Sequence, residues 1–273
     1  LRKSRPIGIF DSGVGGLTVV KCLLEQLPNE DFIYFGDTAH VPYGDKTRRQ
    51  LFGYAHHIIS FLLSREVKAI VVACGTHSSI TLPVMSKKYQ VPMLGVVKAG
   101  ARSATRITRN GKIGVLATQA TVNSLAYTKE IKKINSSYEV VEVACPRFVP
   151  LVEMGKLDGL ETREAVREYA SPLLECGVDT LVLGCTHYPF LVPVIKEFVG
   201  DATVVIDIAW ETVEELKEIL TRCGLFSDGN KKPVKEFYVS GSSDSFYDVG
   251  KLLIGDVIKE VHQLSSISLR KHP

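Results

Sequence analysis

A chain of 273 residues, 45% hydrophobic and 23% charged, is long enough to bury a real core in one large or two medium domains without an added staple. Its formal charge of +3 is spread along the sequence, so composition supplies no electrostatic footprint for nucleic acid or for a membrane, and neither is expected as a partner. Six cysteines without close CxxC spacing match neither a disulfide framework nor a structural zinc site; they are expected to be thiols in a reducing, cytoplasmic compartment, with no metal.

The basic opening Leu1-Arg2-Lys3-Ser4-Arg5-Pro6 leads into an apolar stretch that ends at Asp11, too short for a signal-peptide core or a membrane span. That stretch, Ile7-Gly8-Ile9-Phe10, reads as a first strand. Asp11-Ser12-Gly13-Val14-Gly15-Gly16 then turns into a helix whose apolar face runs through Leu17, Val20, Leu24 and Leu27 before Pro28. A second strand over residues 32–36 precedes Asp37-Thr38-Ala39-His40-Val41-Pro42-Tyr43-Gly44-Asp45. This segment is too polar and punctuated for core and reads as a loop at the C-terminal edge of a parallel sheet. A helix over about 47–64 leads to the strand 69–73, which ends at Cys74-Gly75-Thr76-His77. A helix around 78–89 and a strand over 93–97 follow. Strands alternating with helices predict a parallel α/β sheet covered on both faces.

At residues 98–101 the pattern restarts. Lys112-Ile113-Gly114-Val115-Leu116-Ala117-Thr118 parallels the opening strand and its turn, and 63 residues separate Asp11 from Cys74 against 67 from Thr118 to Cys185. The similar spacing suggests a duplicated unit. The second half continues through a strand at 139–144, a loop containing Phe148-Val149-Pro150-Leu151-Val152-Glu153, and a helix over 161–175. It then reaches Leu181-Val182-Leu183-Gly184-Cys185-Thr186-His187-Tyr188-Pro189 and a strand at 204–207. The remainder, a helix over 211–222, a strand at 236–240 and a terminal helix, resembles neither opening and is expected to return to the first domain. The expected domains are therefore 1–98 with 210–273, and 99–209.

Cys22, Cys145, Cys176 and Cys223 read as small buried hydrophobes. Cys74 and Cys185 differ, because each ends a strand at the edge where open α/β sheets bind ligands and each is followed by hydroxyl and imidazole groups. The turn at Gly184-Cys185, with Pro189 marking a helix start, is expected to put Cys185 under a helix N-terminus. There the thiolate is favoured and His187 can share a proton. The glycine-rich turn 11–16 is neither GxGxxG nor a P-loop; it is either structural or holds a ligand carboxylate while Asp11 faces Cys74. Glu153 faces the same cleft or solvent. His56 and His57 read as structural, and His77 either polarises Cys74 or caps a helix turn.

Asp11-Ser12-Gly13-Val14-Gly15-Gly16-Leu17-Thr18, Gly36-Asp37-Thr38-Ala39-His40-Val41-Pro42-Tyr43-Gly44 and Gly184-Cys185-Thr186-His187-Tyr188-Pro189 together resemble the bacterial glutamate racemases, of the cofactor-independent aspartate/glutamate racemase superfamily. The resemblance covers nearly the whole chain. It implies two pseudo-symmetric α/β domains facing each other across a cleft, with two cysteines inverting the α-carbon of glutamate to supply D-glutamate for peptidoglycan. It further implies Cys74 and Cys185 as the two bases, Asp11 assisting the first and Glu153 and His187 the second. Asp11, Ser12, Tyr43, Gly44, Thr76, Thr186 and His187 match substrate-contacting positions, with no cofactor. A homodimer is an assembly the resemblance leaves open. The sequence departs from the family at Gly75, where the family has asparagine. A buried hydrogen bond missing there predicts weaker glutamate binding by about 1–3 kcal/mol unless water or His77 replaces it. The alternatives are a racemase of aspartate or another acidic amino acid, and a weakly active homologue serving as a binding module.

Overall fold

The computed structural model describes residues 3–229 and 231–264; Leu1, Arg2, Asn230 and the tail 265–273 of the first expected domain lie outside the described residues. The first half runs β1 (Ile7–Asp11), α1 (Leu17–Gln26), β2 (Phe32–Gly36), α2 (Arg48–Ser64), β3 (Ala69–Val72), α3 (Gly75–Ile80), α4 (Leu82–Lys88), β4 (Met93–Gly95) and α5 (Val96–Ile107). The second runs β5 (Lys112–Ala117), α6 (Gln119–Ser124), α7 (Ala126–Ile134), β6 (Glu139–Ala144), α8 (Phe148–Glu153), α9 (Leu160–Glu175), β7 (Thr180–Leu183), α10 (Val192–Val199) and β8 (Val204–Ile206). The chain then returns through α11 (Ile208–Cys223), β9 (Lys235–Val239), α12 (Ser243–Ile254) and β10 (His262–Gln263).

Two parallel sheets result, ordered β10-β9-β2-β1-β3-β4 and β6-β5-β7-β8. The order β2-β1-β3-β4 repeats as β6-β5-β7-β8, so the duplication suggested by the matching cysteine strands is a duplication of topology. In each sheet the strand order reverses beside the opening strand, and the crevice past the carboxyl ends there is the natural ligand edge. Asp11 and Cys74 lie at that edge of the first sheet, Thr118 and Cys185 at that of the second. β9 pairs in parallel with β2, Gly36 opposite Val239, which brings the C-terminal segment back to the first sheet. One apolar cluster runs through both halves, from Ile9, Leu17 and Val71 to Val115, Val182 and Leu191, so the sheets share a core.

Several local expectations change. Residues 96–107 form α5, not a strand end and a restart. A continuous apolar run does not distinguish buried strand from buried helix, and the small residues Ala99, Gly100, Ala101 and Ala104 are the helix's buried face. Residues 78–89 are two helices, because Thr81 closes α3 and Pro83 lies in the first turn of α4, where its missing N–H costs nothing. Residues 148–153 are the helix α8, not a loop, with Pro150 tolerated in its first turn. Cys176 and Cys223 are exposed at helix ends, whereas Cys145 is buried and Cys22 half-buried. Among the described residues no helix is long and apolar enough to cross a membrane.

At the opposite end of the first sheet, Lys68 and Glu30 form an ion pair with side chains 0% and 2% exposed. Lys68 Nζ also donates to the Lys3 carbonyl at 2.7 Å and Glu30 accepts from Ser227 N at 2.8 Å, so both charges are satisfied. Removing one partner leaves the other charged and buried, which typically costs about 3–5 kcal/mol. Lys68→Met is therefore expected to lower unfolding stability in urea by about that amount. Adding Glu30→Leu in the same chain should recover most of the loss.

Candidate active site

Each thiol is carried just past its strand by a segment still bonded to the central strand: Ala73 N donates to the Phe10 carbonyl at 2.9 Å and Gly184 N to the Leu116 carbonyl at 2.7 Å. Cys74 occupies the N-cap of α3, in an extended conformation. Cys185 is not under an α-helix end as expected; a 3-10 turn, Tyr188–Leu191, intervenes, and α10 starts only at Val192. Both sulfurs are buried, the residues being 4% and 5% exposed.

Side chains from the two halves interlock around them. Asp11, at the end of β1, accepts from Gly13 N and, across the seam, from the Thr186 hydroxyl, both at 3.0 Å. Glu153, at the end of α8, accepts from Val14 N at 3.0 Å and lies 2.6 Å from His187 Nε2. His187 Nδ1 is 3.7 Å from Cys185 Sγ. Glu153, His187 and Cys185 are thus in line, with the carboxylate anchored on the other half's glycine-rich turn. A Tyr34 hydroxyl at 2.7 Å from the Gly13 carbonyl fixes that turn from below. On the Cys74 side, the Thr76 hydroxyl lies 2.9 Å from that of Thr118, which reaches Thr121 at 3.0 Å. Ser12 is buried in the turn, Tyr43 packs with Leu51 and Cys74, and a Cβ on Gly44 would lie 3.8 Å from Thr118.

The electrostatics are unequal. Burial disfavours a charge on His187, but its hydrogen bonds with Cys185 and Glu153 outweigh this and raise its pKa well above that of ordinary histidine. Against burial, the same bond to His187 holds Glu153 below its usual range. Cys74 is pushed up by burial and then by the Asp11 charge, against the backbone N–H groups of His77 and Thr76, so it holds its proton. Burial also raises Asp11. The His77 imidazole does not bond to the Cys74 thiol: its Nδ1 meets Thr81 Oγ1 at 3.0 Å, Nε2 has no partner, and burial lowers its pKa to about 4. Its imidazole is neutral and structural.

Three glycines make the interlock possible. A Cβ on Gly13 would lie 2.0 Å from Glu153 Oε1, one on Gly15 2.2 Å from His187 Nδ1, and one on Gly75 2.3 Å from the Gly184 carbonyl oxygen. None of the three is in the left-handed conformation, so close approach is what requires glycine. No open space lies where a Gly75 side chain would begin, because the backbone of the other thiol loop fills it. The residues assigned to the site from the sequence therefore gather at one seam. Thr118, Thr121, Asp37 and Tyr34 were missed. Thr118 parallels Ser12 in the repeat and could have been found by that signal.

Residues 7–216 match the Asp/Glu/hydantoin racemase family. The chain is 46% identical over 261 residues to the glutamate racemase of Geobacter metallireducens, covering 96% of this chain and 97% of that protein. The crystal structure of the Francisella tularensis glutamate racemase in complex with D-glutamate superimposes with a TM-score of 0.90 at 36% identity, over 96% of this chain and 98% of that one. That of the Escherichia coli glutamate racemase, in complex with L-glutamate and the activator UDP-MurNAc-Ala, gives a TM-score of 0.80 at 26% identity, with coverages of 96% and 98%.

Because the obstacle at Gly75 is backbone, Gly75→Asn cannot be absorbed by a side-chain rotation and must push the thiol loops apart. Overpacking of this kind costs about 1–3 kcal/mol. In a chain whose Cys22, Cys176 and Cys223 are replaced by serine, Gly75→Asn is expected to speed alkylation of Cys74 and Cys185, read residue by residue against the buried Cys145, by about tenfold, the lower part of that energy range. An unchanged labelling rate would show that the loops do not meet there.

Proposed function

The chain belongs to the Asp/Glu/hydantoin racemase family and is a glutamate racemase, an isomerase, and we propose that it exchanges the α-proton of glutamate between Cys74 and Cys185. The D-glutamate it makes serves peptidoglycan synthesis. Inverting a stereocentre through a carbanion requires an acid/base group on each face, since a single base tends to return the proton to the side it came from. The observation that supports the two-thiol reading is the pair of buried cysteines at equivalent strand ends of a duplicated topology, Val72 and Leu183 being the last strand residues before them.

The unequal surroundings suit the reaction. Cys185, with His187 at 3.7 Å and Glu153 behind it, has a partner that can take or return its proton. Cys74 is held protonated by burial and the neighbouring carboxylate, and so begins as the acid. For one enantiomer, Cys185 removes the α-proton and Cys74 delivers its own to the opposite face. For the other, Cys74 must first lose its proton, and Asp11, raised by burial, is the adjacent acceptor. The developing carbanion is stabilised by fixed donors in a site that excludes water. Ser12, Tyr43, Gly44, Gly75, Thr76, Thr186 and His187 are assigned to hold the amino acid. Relative movement of the expected domains, 1–98 with 210–273 and 99–209, admits the amino acid on opening and encloses it on closure. Free cysteines fit a cytoplasmic setting.

Cys74→Ser and Cys185→Ser are each expected to lower racemisation by at least about a thousandfold without unfolding the chain, because a hydroxyl is far less acidic than a thiol. In deuterated solvent each remaining thiol should exchange the α-proton of one enantiomer only. Full activity in either variant removes that cysteine from the mechanism.

The two directions should also titrate differently. The kcat of the direction that uses Cys74 as base is expected to climb further into alkaline pH than the other, because burial holds that thiol up. His187→Asn should depress one kcat more than the other. The enantiomers are equal in energy, so kcat/KM must stay equal in both directions at every pH; circular dichroism of L- and D-glutamate reads all four constants.

A further inference from the structure

Asp37 is the first residue past β2, and its N–H donates to the Asp11 carbonyl at 2.9 Å, which sets it beside the glycine-rich turn. Its carboxylate is buried yet surrounded by donors: the Ser240 hydroxyl at 2.6 Å, His40 Nδ1 at 2.8 and 2.9 Å, and the Tyr43 hydroxyl. Burial opposes the charge, but these bonds prevail and hold the carboxyl below its usual range. Two further bonds of 3.0 Å, from Ala39 N to Ser240 Oγ and from Gly241 N to Thr38 Oγ1, tie the loop to the turn between β9 and α12. A Cβ on Gly241 would lie 2.7 Å from Thr38 Oγ1, so this turn too sits close because it lacks a side chain.

With its hydroxyl held, Tyr43 is fixed in orientation. Its ring stands edge-on to His77 at 4.7 Å, parallel to Tyr54 at 5.7 Å, and packs with Leu51 and Cys74. On the outer side of the loop, His40 stacks on Tyr54 at 4.1 Å. We propose that Asp37 is a positioning residue that holds the Tyr43 ring as a wall of the Cys74 thiol, and so makes the β9–α12 turn a support of one acid/base group. The proposal rests on the reading of Cys74 as one of the two bases. Asp37 itself bonds to Ser240, His40 and Tyr43 and not to either sulfur, and it acts through Tyr43.

The arrangement has its own pH dependence. The charged and titratable groups around His40 are Asp37 and Lys46 from its own stretch and Tyr54 from α2. The Asp37 bond raises the His40 pKa, against partial burial and Lys46. A raised histidine pKa means the clasp is complete below about 6.5, the unfolded value, and is lost as pH rises through the folded one; Asp37, being depressed, stays ionised throughout. In the wild type the KM for glutamate should therefore rise on the alkaline side, and His40→Gln should remove that rise.

The decisive experiment is a double-mutant cycle in the full chain, following racemisation by circular dichroism. Asp37→Asn keeps the shape but loses the charge, and is expected to lower kcat/KM by about tenfold or more. In a Tyr43→Phe background the same change should alter kcat/KM by less than about twofold, because the group it acts through has lost its hydroxyl. Equal effects in both backgrounds would overturn the proposal. Should Asp37→Asn fail to fold, Ser240→Ala in the two backgrounds puts the same question. Cys74→Ser tests the underlying reading separately: additivity with Cys74 still essential refutes only the positioning role.

Discussion

The site depends on contact between bare backbone and charged side chains across a seam. Glu153 and His187 press into the turn at Gly13 and Gly15, where any side chain would overlap them at 2.0 and 2.2 Å. The turn's Val14 N–H in turn anchors Glu153. The line from Glu153 through His187 to Cys185 lies within the second half, and the first half anchors its outer end through Val14 N. His187 is almost wholly buried there, so its interactions are less screened by water than those of a surface pair.

A duplicated topology here yields two unlike sites. At the end of each half's opening strand a side chain reaches a threonine just past the other half's cysteine: Asp11, the last residue of β1, to Thr186, and Thr118, the first residue past β5, to Thr76. One of these end groups is a carboxylate and the other a hydroxyl. One cysteine has a histidine backed by a carboxylate; the other has a buried neutral histidine turned to Thr81. The proposed two-thiol reaction needs one proton acceptor and one donor at any instant, and under that proposal this divergence suits the chemistry better than strict symmetry would. The roles exchange with the direction of reaction.

Gly75 illustrates how a family pattern and a structure can disagree about one residue. Read beside the family's asparagine, glycine looks like a missing hydrogen bond. Against the Gly184 carbonyl it is the residue that lets the thiol loops meet. Whether a position is a hole or a contact depends on what faces it from a segment more than a hundred residues away.

Much was legible in the sequence because it is local. Alternating apolar runs and amphipathic stretches gave the strands and most helices, the repeated cysteine-ending strands gave the duplication, and three motifs gave the family. What failed locally failed for physical reasons: the run at Met93–Gly95 and Val96 onward has no period that separates strand from helix, Pro150 fits the first turn of a helix as well as a loop, and Pro83 starts a second helix inside a stretch that reads as one. The sequence by itself marked which residues were candidates for the chemistry. Only the tertiary structure decided their partners, because Glu153 on Val14, Thr186 on Asp11 and Ser240 on Asp37 are separated by 139, 175 and 203 residues. Contacts at such separations arise from how two sheets pack, and packing leaves no periodic trace along the chain.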